Sequence, residues 1–295
     1  MNSTSNHLFC FGLGYSAGVL ARRLAAKGWS ISGTCRDAER AHQLCAEGFN
    51  VVIFDGKTPP IEPARIFSSA THLLISVPPD EDGDPILRHF GAAIEARKDL
   101  SWIGYLSTTG VYGNTDGRMV DENSPIDPDV ARSGRRALAE IDWLAIYRDF
   151  GLSIQIFRLA GIYGPGRNVL EQLRRGKARR IYKPGHKFSR IHVADIANVL
   201  ASSIAQPNPG AVYNVCDNEA IETSQVTEFA ADLLGIAPPP LLPFAQAAKA
   251  MSLMGLSFWQ DNRLVDNTRI RSELGVVLDH PDYRAGLTAL FNELN

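Results

Sequence analysis

The stretch from residue 7 to residue 18, HLFCFGLGYSAG, governs how the rest of the chain is interpreted. A short apolar run leads into a Gly-x-Gly-x-x-Ala pattern, and an apolar-periodic segment follows from Val19 to Lys27. This order predicts a strand, a tight turn and a helix, which is the context that a dinucleotide-binding fingerprint requires. An ordinary glycine-rich turn is the alternative reading of the same letters.

Each small residue of this stretch has a physical task in such a fingerprint. Gly12 lets the chain turn sharply out of the strand, Gly14 lets the backbone approach a pyrophosphate, and Ala17 lets the helix pack closely on the strand. With Tyr15 and Ser16, they form the predicted helix N-terminus, whose free N–H groups and partial positive charge favour phosphates. We therefore predict that these five residues bind the cofactor.

The choice between NAD and NADP depends on the end of the second predicted strand, Trp29 to Thr34. In NAD-specific sites an acidic residue about 20 positions past the glycines holds the ribose 2′-hydroxyl, whereas an arginine there suits a 2′-phosphate. Arg36 occupies that place, and Asp37 follows it. The sequence thus predicts NADP, with NAD as second choice. Alternatively, Arg36 is a solvated side chain at the start of the next helix.

The ends of the third and fourth predicted strands supply further cofactor contacts. Asp55 follows the strand from Phe49 to Phe54, where its carboxylate suits an adenine amino group or simply forms an Asp-Gly turn. Ser76 and Val77 end the nearly all-apolar fourth strand, and Pro78 begins the loop after it. Ligands of such sheets bind outside the carboxyl ends of strands. We predict that these three residues border the cofactor.

Composition narrows the class of protein. The chain has 295 residues, 45% hydrophobic and 21% charged, with a formal net charge of −2, so nucleic acid and membrane surfaces are not expected partners. The four cysteines have no metal or redox spacing, and no metal site is predicted. Leu8 to Ala21 could mimic a signal-peptide core, but residues 1–7 carry no Lys or Arg. We expect a cytoplasmic protein.

Strand and helix patterns alternate over the first hundred residues, which predicts an α/β, doubly wound parallel sheet. We place a dinucleotide-binding domain at residues 1–160, with its core continuing to about 220. Residues 161–295 are expected to form mostly a smaller substrate lobe. Within it, Arg190 to Ala197 is predicted to begin a helix. In the first domain, Ile61 to Ala70 is predicted to form a short helix.

Four motifs in order carry a family resemblance: Gly12-x-Gly14-x-x-Ala17, Ser107-Thr108-x-x-Val111-Tyr112-Gly113, Arg158-Leu159-x-x-Ile162-Tyr163-Gly164-Pro165-Gly166 and Ile191-His192-Val193-x-Asp195-Ile196-Ala197. From about residue 7 to 220 the chain resembles the extended short-chain dehydrogenase/reductases, the NAD-dependent epimerase/dehydratase group that handles nucleotide sugars. The resemblance implies a Rossmann domain and a catalytic hydroxyl at Thr108, where the alternative is a hydroxyl-rich turn.

The sequence departs from this family at its Tyr-x-x-x-Lys pair. With Ala139-Glu140 as anchor, Arg132 and Arg136 occupy the tyrosine and lysine positions. Four residues apart on a helix, they share one face. A guanidinium has a pKa above about 12 and cannot exchange a proton near neutral pH. We predict instead that the two arginines fix an anionic group of the substrate.

The third motif and the basic loop from Lys183 to Arg190 supply the predicted substrate contacts, Tyr163, His186 and Arg190. A packing role for the tyrosine and a solvated surface loop around the histidine remain alternatives.

Two functional hypotheses follow. The first is an NADP-dependent oxidoreductase, epimerase or dehydratase acting on a nucleotide sugar or another small anionic molecule. The second is a catalytically degenerate, NADP-binding regulatory or sensor protein, which the missing pair favours. The oligomeric state is left open, with a homodimer as the assembly considered.

Overall fold

The computed structural model of the chain describes residues 6–293. Its strands are β1 (His7–Phe11), β2 (Ser30–Cys35), β3 (Asn50–Ile53), β4 (His72–Ile75), β5 (Trp102–Thr108), β6 (Met119–Val120), β7 (Ile154–Leu159), β8 (Gly161–Tyr163), β9 (Arg180–Tyr182), β10 (Arg190–His192), β11 (Val212–Val215), β12 (Leu241–Pro243) and β13 (Leu264–Val265).

The α-helices are α1 (Tyr15–Ala25), α2 (Ala38–Ala46), α3 (Pro85–Glu95), α4 (Ala131–Phe150), α5 (Val169–Arg174), α6 (Val193–Ala205), α7 (Thr223–Leu233), α8 (Phe244–Ala247), α9 (Leu253–Ser257), α10 (Thr268–Leu274) and α11 (Tyr283–Glu293). Short 3₁₀ turns lie at Pro63–Phe67, Thr109–Tyr112 and Ala248–Ala250. Among the described residues, no helix has the length and apolar character that crossing a bilayer requires.

A seven-stranded sheet organises the fold, in the order β11-β7-β5-β4-β1-β2-β3. β1 pairs in parallel with β2 on one side and β4 on the other, with Phe9 opposite Ser32 and Leu73. Leu73, Leu74 and Ile75 of β4 are wholly buried, as expected when helices cover both faces of a parallel sheet. The predicted doubly wound α/β fold is therefore confirmed.

Aromatic side chains fill much of the core beside this sheet. Phe11 of β1 packs edge-on against Phe9, with ring centroids 4.8 Å apart, and lies 4.9 Å from Phe90 of α3. Phe67 from the first 3₁₀ turn joins them, 5.6 Å from Phe11. Such pairs contribute about 0.5–1.5 kcal/mol each beyond the area that they bury. They fix α3 and the 3₁₀ turn against the sheet.

The chain divides into two compact units, each built from separated segments. One contains the described residues up to Thr108 together with Gly134–Arg158 and Ile196–Tyr213, and the other contains Thr109–Ser133, Leu159–Asp195 and the described residues from Asn214 onward. We call them the sheet unit and the second unit. The sheet unit holds most of the seven-stranded sheet.

The second unit has short parallel pairs, β8 with β10, β9 with β12 and β6 with β13. Its own apolar cluster includes Leu170 of α5, Ala230 of α7 and Leu287 of α11. It also includes Tyr163, so the tyrosine of the third motif contributes to packing.

Two predicted elements were wrong. The helix predicted to begin at Arg190 begins at Val193, because Arg190 to His192 pair as β10 with Gly161 to Tyr163 of β8. That long-range pairing overrides the local helical pattern. The segment from Ile61 to Ala70, predicted as a short helix, forms only the 3₁₀ turn Pro63–Phe67.

Candidate functional site

The turn between β1 and α1 has the geometry that its glycines predict. Gly12 has φ +91°, and a Cβ there would lie 3.1 Å from Val77 Cγ2. Its N–H donates to the Thr34 hydroxyl at 2.9 Å, and the Leu13 N–H donates to the Thr34 carbonyl at 2.7 Å. Gly14 is the N-cap of α1. The turn is thus tied to the end of β2 and leads directly into a helix N-terminus.

A pocket of about 450 Å³ lies at this turn within the sheet unit. The loops at the carboxyl ends of β1 to β4 line it together with Pro85 at the start of α3. The predicted cofactor residues that line it are Gly12, Gly14, Arg36, Asp55, Ser76, Val77 and Pro78. The structure therefore brings four separate predicted segments to one concave surface.

The other predicted cofactor residues, Tyr15, Ser16 and Ala17, form the first turn of α1 and do not line the pocket with their side chains. Ala17 is fully buried and Ser16 is nearly so. A larger side chain at Ala17 would have no space, which agrees with the packing task that the fingerprint assigns to this position.

The charged side chains of the pocket differ in whether they already have hydrogen-bond partners. The Asp37 carboxylate caps α2 by accepting the Arg40 N–H at 2.8 Å. Asp55 accepts the N–H groups of Lys57 and Thr58, and these hydrogen bonds lower its pKa. In the described part of the chain, by contrast, the Arg36 guanidinium has no hydrogen bond or ion pair, and it is exposed. The Arg36 guanidinium is thus available to a ligand, whereas the carboxylates of Asp37 and Asp55 already accept backbone hydrogen bonds.

Sequence reasoning missed Thr34, Lys57 and Asp80, which also line this pocket. Each lies at or just after the carboxyl end of a parallel strand, so the rule that located Asp55 and Ser76 could have found them. The Thr34 hydroxyl accepts the Gly12 N–H, so this residue holds the turn in place.

Thr108, the predicted catalytic hydroxyl, is the last residue of β5 and is half-buried. The hydroxyl before it has a structural partner: Ser107 donates to the Glu140 carboxylate. Glu140 also forms a buried ion pair with Arg158, at 2.8 Å, with side chains 1% and 4% exposed. This Ser107–Glu140–Arg158 network joins β5, α4 and β7 directly behind Thr108.

Arg132 and Arg136 lie on the first two turns of α4, and each guanidinium has a partner. That of Arg136 donates to the Leu106 carbonyl and lies 5.8 Å from the Tyr105 ring centroid. That of Arg132 lies 4.1 Å from the Phe258 ring centroid, and burial lowers its pKa. Their predicted anion-binding role remains a prediction.

A second pocket, of about 270 Å³, lies within the second unit. Two predicted substrate residues, Tyr163 and Arg190, line it with two arginines that were not predicted individually, Arg167 and Arg179. None of the described residues that line it is acidic. The density of basic residues between positions 167 and 190 is the sequence signal for this pocket.

The chemistry of the second pocket favours binding over proton transfer. Arg190 donates to the carbonyls of Phe188 and Ile221, at 2.8 and 3.2 Å, and these bonds fix its guanidinium. Burial raises the pKa of Tyr163 far above neutral. Its hydroxyl donates to the Asp282 carbonyl. Tyr163 is thus unsuited to act as an acid or base near pH 7.

His186, the third predicted substrate residue, does not line this pocket. It is 3% exposed, with its ring stacked on Trp259 at 5.4 Å and against Phe188 at 4.8 Å. Burial lowers its pKa to about 4. The structure thus places it as a neutral ring in a small aromatic core.

The structure also brings together His192, Asp195 and His280, whose possible metal-ligand atoms lie within 4.8 Å of one another. Asp195 accepts the N–H groups of Asp279 and His280 at 2.7 and 3.0 Å, and the His280 ring nitrogen lies 3.0 Å from it. The ring centroids of the two imidazoles are 3.8 Å apart, with the ring planes tilted by 37°. Because the carboxylate is satisfied by the backbone, the group fastens residues 279–280 to the start of α6. This cluster could not be predicted from the sequence, because His280 lies 85 residues after Asp195 in the chain.

No protein-family model matches the chain. A solved structure of a functionally unknown conserved protein from Silicibacter pomeroyi DSS is 46% identical, covers 98% of this chain and 99% of that chain, and superposes with a TM-score of 0.90. The chain belongs to the same family as that protein. Protein YeeZ of Escherichia coli K12 is 28% identical over 289 residues, covering 92% of this chain and 95% of its own.

More distant solved structures have the same fold. A putative NAD-dependent epimerase/dehydratase from Methylobacillus flagellatus is 26% identical, covers 99% of both chains and has a TM-score of 0.71. A dTDP-glucose 4,6-dehydratase from Bacillus anthracis str. Ames, solved in complex with NAD, is 16% identical, covers 99% and 97%, and has a TM-score of 0.76. The structural neighbours are thus members of the epimerase/dehydratase group, as the sequence motifs predicted.

Proposed function

We propose that the sheet-unit pocket binds a nicotinamide dinucleotide, with NADP preferred over NAD. The observation that carries this proposal is the pocket itself, where the Gly12–Gly14 turn, the N-terminus of α1 and the free Arg36 guanidinium occur together. Its volume of about 450 Å³ suits part of a dinucleotide, since small-molecule pockets span about 300–1,000 Å³.

The residues present fit such a cofactor. Apart from its chain neighbours, no described residue comes within 4 Å of the position where a Gly14 Cβ would stand, so the backbone there is open to a pyrophosphate. Backbone N–H groups at the N-terminus of α1 would hold the phosphates. Arg36 would pair with the ribose 2′-phosphate by charge-assisted hydrogen bonds. When bound, the nicotinamide would supply hydride transfer.

The substrate that suits the second-unit pocket is a small anionic molecule, and a nucleotide sugar meets that description. Arg167, Arg179 and Arg190 line the pocket without a described acidic neighbour in the lining, which favours a phosphate or carboxylate. The reaction proposed is an oxidoreduction, epimerisation or dehydration. Thr108, at the end of β5, would donate a hydrogen bond to a substrate oxygen.

A second function, cofactor binding without turnover, is favoured by one specific observation. Arg132 and Arg136 stand where the resembled family is expected to have its Tyr-x-x-x-Lys pair, and their guanidiniums contact Phe258 and the Leu106 carbonyl. Neither can exchange a proton near neutral pH. In this second proposal, NADP occupancy would control association with a partner.

A turnover screen tests the first function against the second. NADPH oxidation and NADP reduction are followed with nucleotide sugars and with small phosphorylated or carboxylated carbonyls and alcohols. Substrate conversion is measured in parallel, since an epimerase would recycle its cofactor. The enzyme proposal expects turnover that Thr108→Ala reduces by about 100-fold or more, with cofactor affinity kept. Dinucleotide binding without turnover in any substrate class would favour the second function.

Substrate binding has its own matched pair of variants. Arg179 is exposed and lines the second-unit pocket, whereas Arg174 on α5 is exposed and does not. Arg179→Ala should weaken an anionic substrate by about tenfold, and Arg174→Ala should leave its affinity unchanged. Equal effects of the two changes would remove this pocket from the proposal.

A further inference from the structure

Two loops that line the dinucleotide pocket are joined by one side chain of the sheet unit. That side chain, Arg88, does not itself line the pocket. The guanidinium of Arg88 on α3 donates two hydrogen bonds to the Asp80 carboxylate, at 3.0 and 2.7 Å. The same guanidinium donates to the Gly56 carbonyl at 3.2 Å. Gly56 follows β3 and Asp80 follows β4, and both line the pocket.

The two loops have few other fixed points of their own. The loop after β4 closes a short turn, in which Asp80 and Gly83 exchange backbone hydrogen bonds and Asp80 accepts the Asp82 N–H. The loop after β3 is held by the Asp55 carboxylate, which accepts the N–H groups of Lys57 and Thr58. These bonds shape each loop internally. Among the hydrogen bonds of residues 6–293, those of Arg88 join one loop to the other.

We propose that Arg88 is a positioning residue for the dinucleotide, which fixes the loops after β3 and β4 in the conformation that the cofactor requires. The inference rests on the proposed function. It states that a residue outside the pocket contributes to the affinity for the dinucleotide. The physical reason is pre-organisation: loops already ordered in the free protein lose less conformational entropy when a ligand binds. Because the Arg88 and Asp80 side chains are 30% and 42% exposed, this ion pair contributes little to folding itself.

The chain offers a matched control in Arg97, which follows α3. Arg97 also makes two hydrogen bonds to one carboxylate, that of Asp99, and donates to two backbone carbonyls, those of Phe67 and Ala70. None of these residues lines the pocket. The two arginines thus have nearly the same bonding pattern, and they differ in which loops they hold.

Calorimetric titration of the full chain with NADP and NAD tests the proposal. Arg88→Ala should weaken both dinucleotides by about tenfold, because ordering the two loops is then a cost of binding. Arg88→Lys keeps the charge but cannot make the forked contact. Its affinity for each dinucleotide should lie between those of wild type and Arg88→Ala. Arg97→Ala should leave both affinities unchanged. Wild-type affinity in a folded Arg88→Ala protein, or an equal loss in Arg97→Ala, would overturn the proposal.

Hydrogen exchange of the free protein separates this inference from the proposed function. In Arg88→Ala the amides of residues 56–58 and 80–83 should exchange at least about tenfold faster, whereas in Arg97→Ala they should exchange as in wild type. Unchanged exchange at these amides would overturn the tether even if both cofactors bind. A wild-type protein that binds neither dinucleotide would instead contradict the proposed function, and the exchange rates would still decide what Arg88 does.

Discussion

At the scale of single residues, the two fingerprint glycines do different work. Gly12 has φ +91°, and a Cβ there would lie 3.1 Å from Val77 Cγ2, so a side chain at this position would strain the fold. Gly14 has φ −86° and open space around its missing Cβ, so a side chain there would reach only into the pocket. The first glycine is needed for folding, and the second is free to serve a ligand.

Arg36 carries the cofactor preference, and its substitution gives the residue-scale prediction. Hydrogen bonds to charged groups are worth about 1.5–3 kcal/mol, so Arg36→Ala should weaken NADP by about 10- to 100-fold and leave NAD nearly unchanged. Arg40→Ala is the control, because Arg40 lies one turn further along and does not line the pocket. The measurement is the dissociation constant of each cofactor by calorimetry. Equal losses for NADP and NAD would exclude a 2′-phosphate contact.

At the scale of elements, the buried Glu140–Arg158 pair fastens α4 to β7. Ser107 links β5 to the same pair by donating a hydrogen bond to Glu140. Removing one partner leaves an uncompensated charge in the core, so Glu140→Ala should lower the free energy of unfolding by about 3–5 kcal/mol. Replacing both, as Glu140→Leu with Arg158→Met, should cost much less, because no buried charge remains. Urea denaturation measures both changes.

An exposed pair provides the control for this prediction. Arg269 and Glu273 lie four residues apart on α10 and are about one-third exposed. Glu273→Ala should lower the free energy of unfolding by no more than about 0.5 kcal/mol. If Glu140→Ala cost as little as Glu273→Ala, the buried network would not be what holds α4 to the sheet.

How far the sequence predicts these elements depends on the range of the contacts that form them. The first strands and helices were predictable because apolar runs and helical periods alternate locally, and the glycine turn and Arg36 follow from the same pattern. The strands of the second unit were not predictable, since β9 pairs with β12 some sixty residues later and β10 pairs with β8. The burial of His186 was not predictable for a similar reason, because it depends on Trp259, more than seventy residues away along the chain.

At the scale of the whole molecule, buried histidines make stability depend on pH. Burial lowers the pKa of His72, His186 and His192 to about 4, below the 6.5 of an exposed histidine. Between these values the folded state binds fewer protons than the unfolded state, so stability is lost as pH falls from about 6.5 towards 4. Asp217 opposes this change, because burial raises its pKa to about 7.

Three histidines outweigh one carboxyl in that pH range. The free energy of unfolding should fall by about 2–3 kcal/mol per pH unit between pH 6 and pH 5, as a net uptake of two protons requires. Urea denaturation at pH 7.5, 6 and 5 measures this slope. His72→Gln should reduce this slope by about one-half, because the net uptake of protons on unfolding falls from two to one. A stability that is constant or rises over this range would show that the histidines are not held neutral.

The central claim is that the sheet unit binds a dinucleotide at the Gly12–Gly14 turn, and a calorimetric titration of NADP into wild type and Gly14→Val tests it most directly. Gly14 has a φ that any residue adopts, and among the described residues only its chain neighbours come within 4 Å of where its Cβ would stand. The variant should therefore fold with an unchanged melting temperature. Wild type should bind one NADP per chain, and Gly14→Val should show no binding. A wild type that binds no NADP, or a folded variant that binds it equally well, would contradict the account.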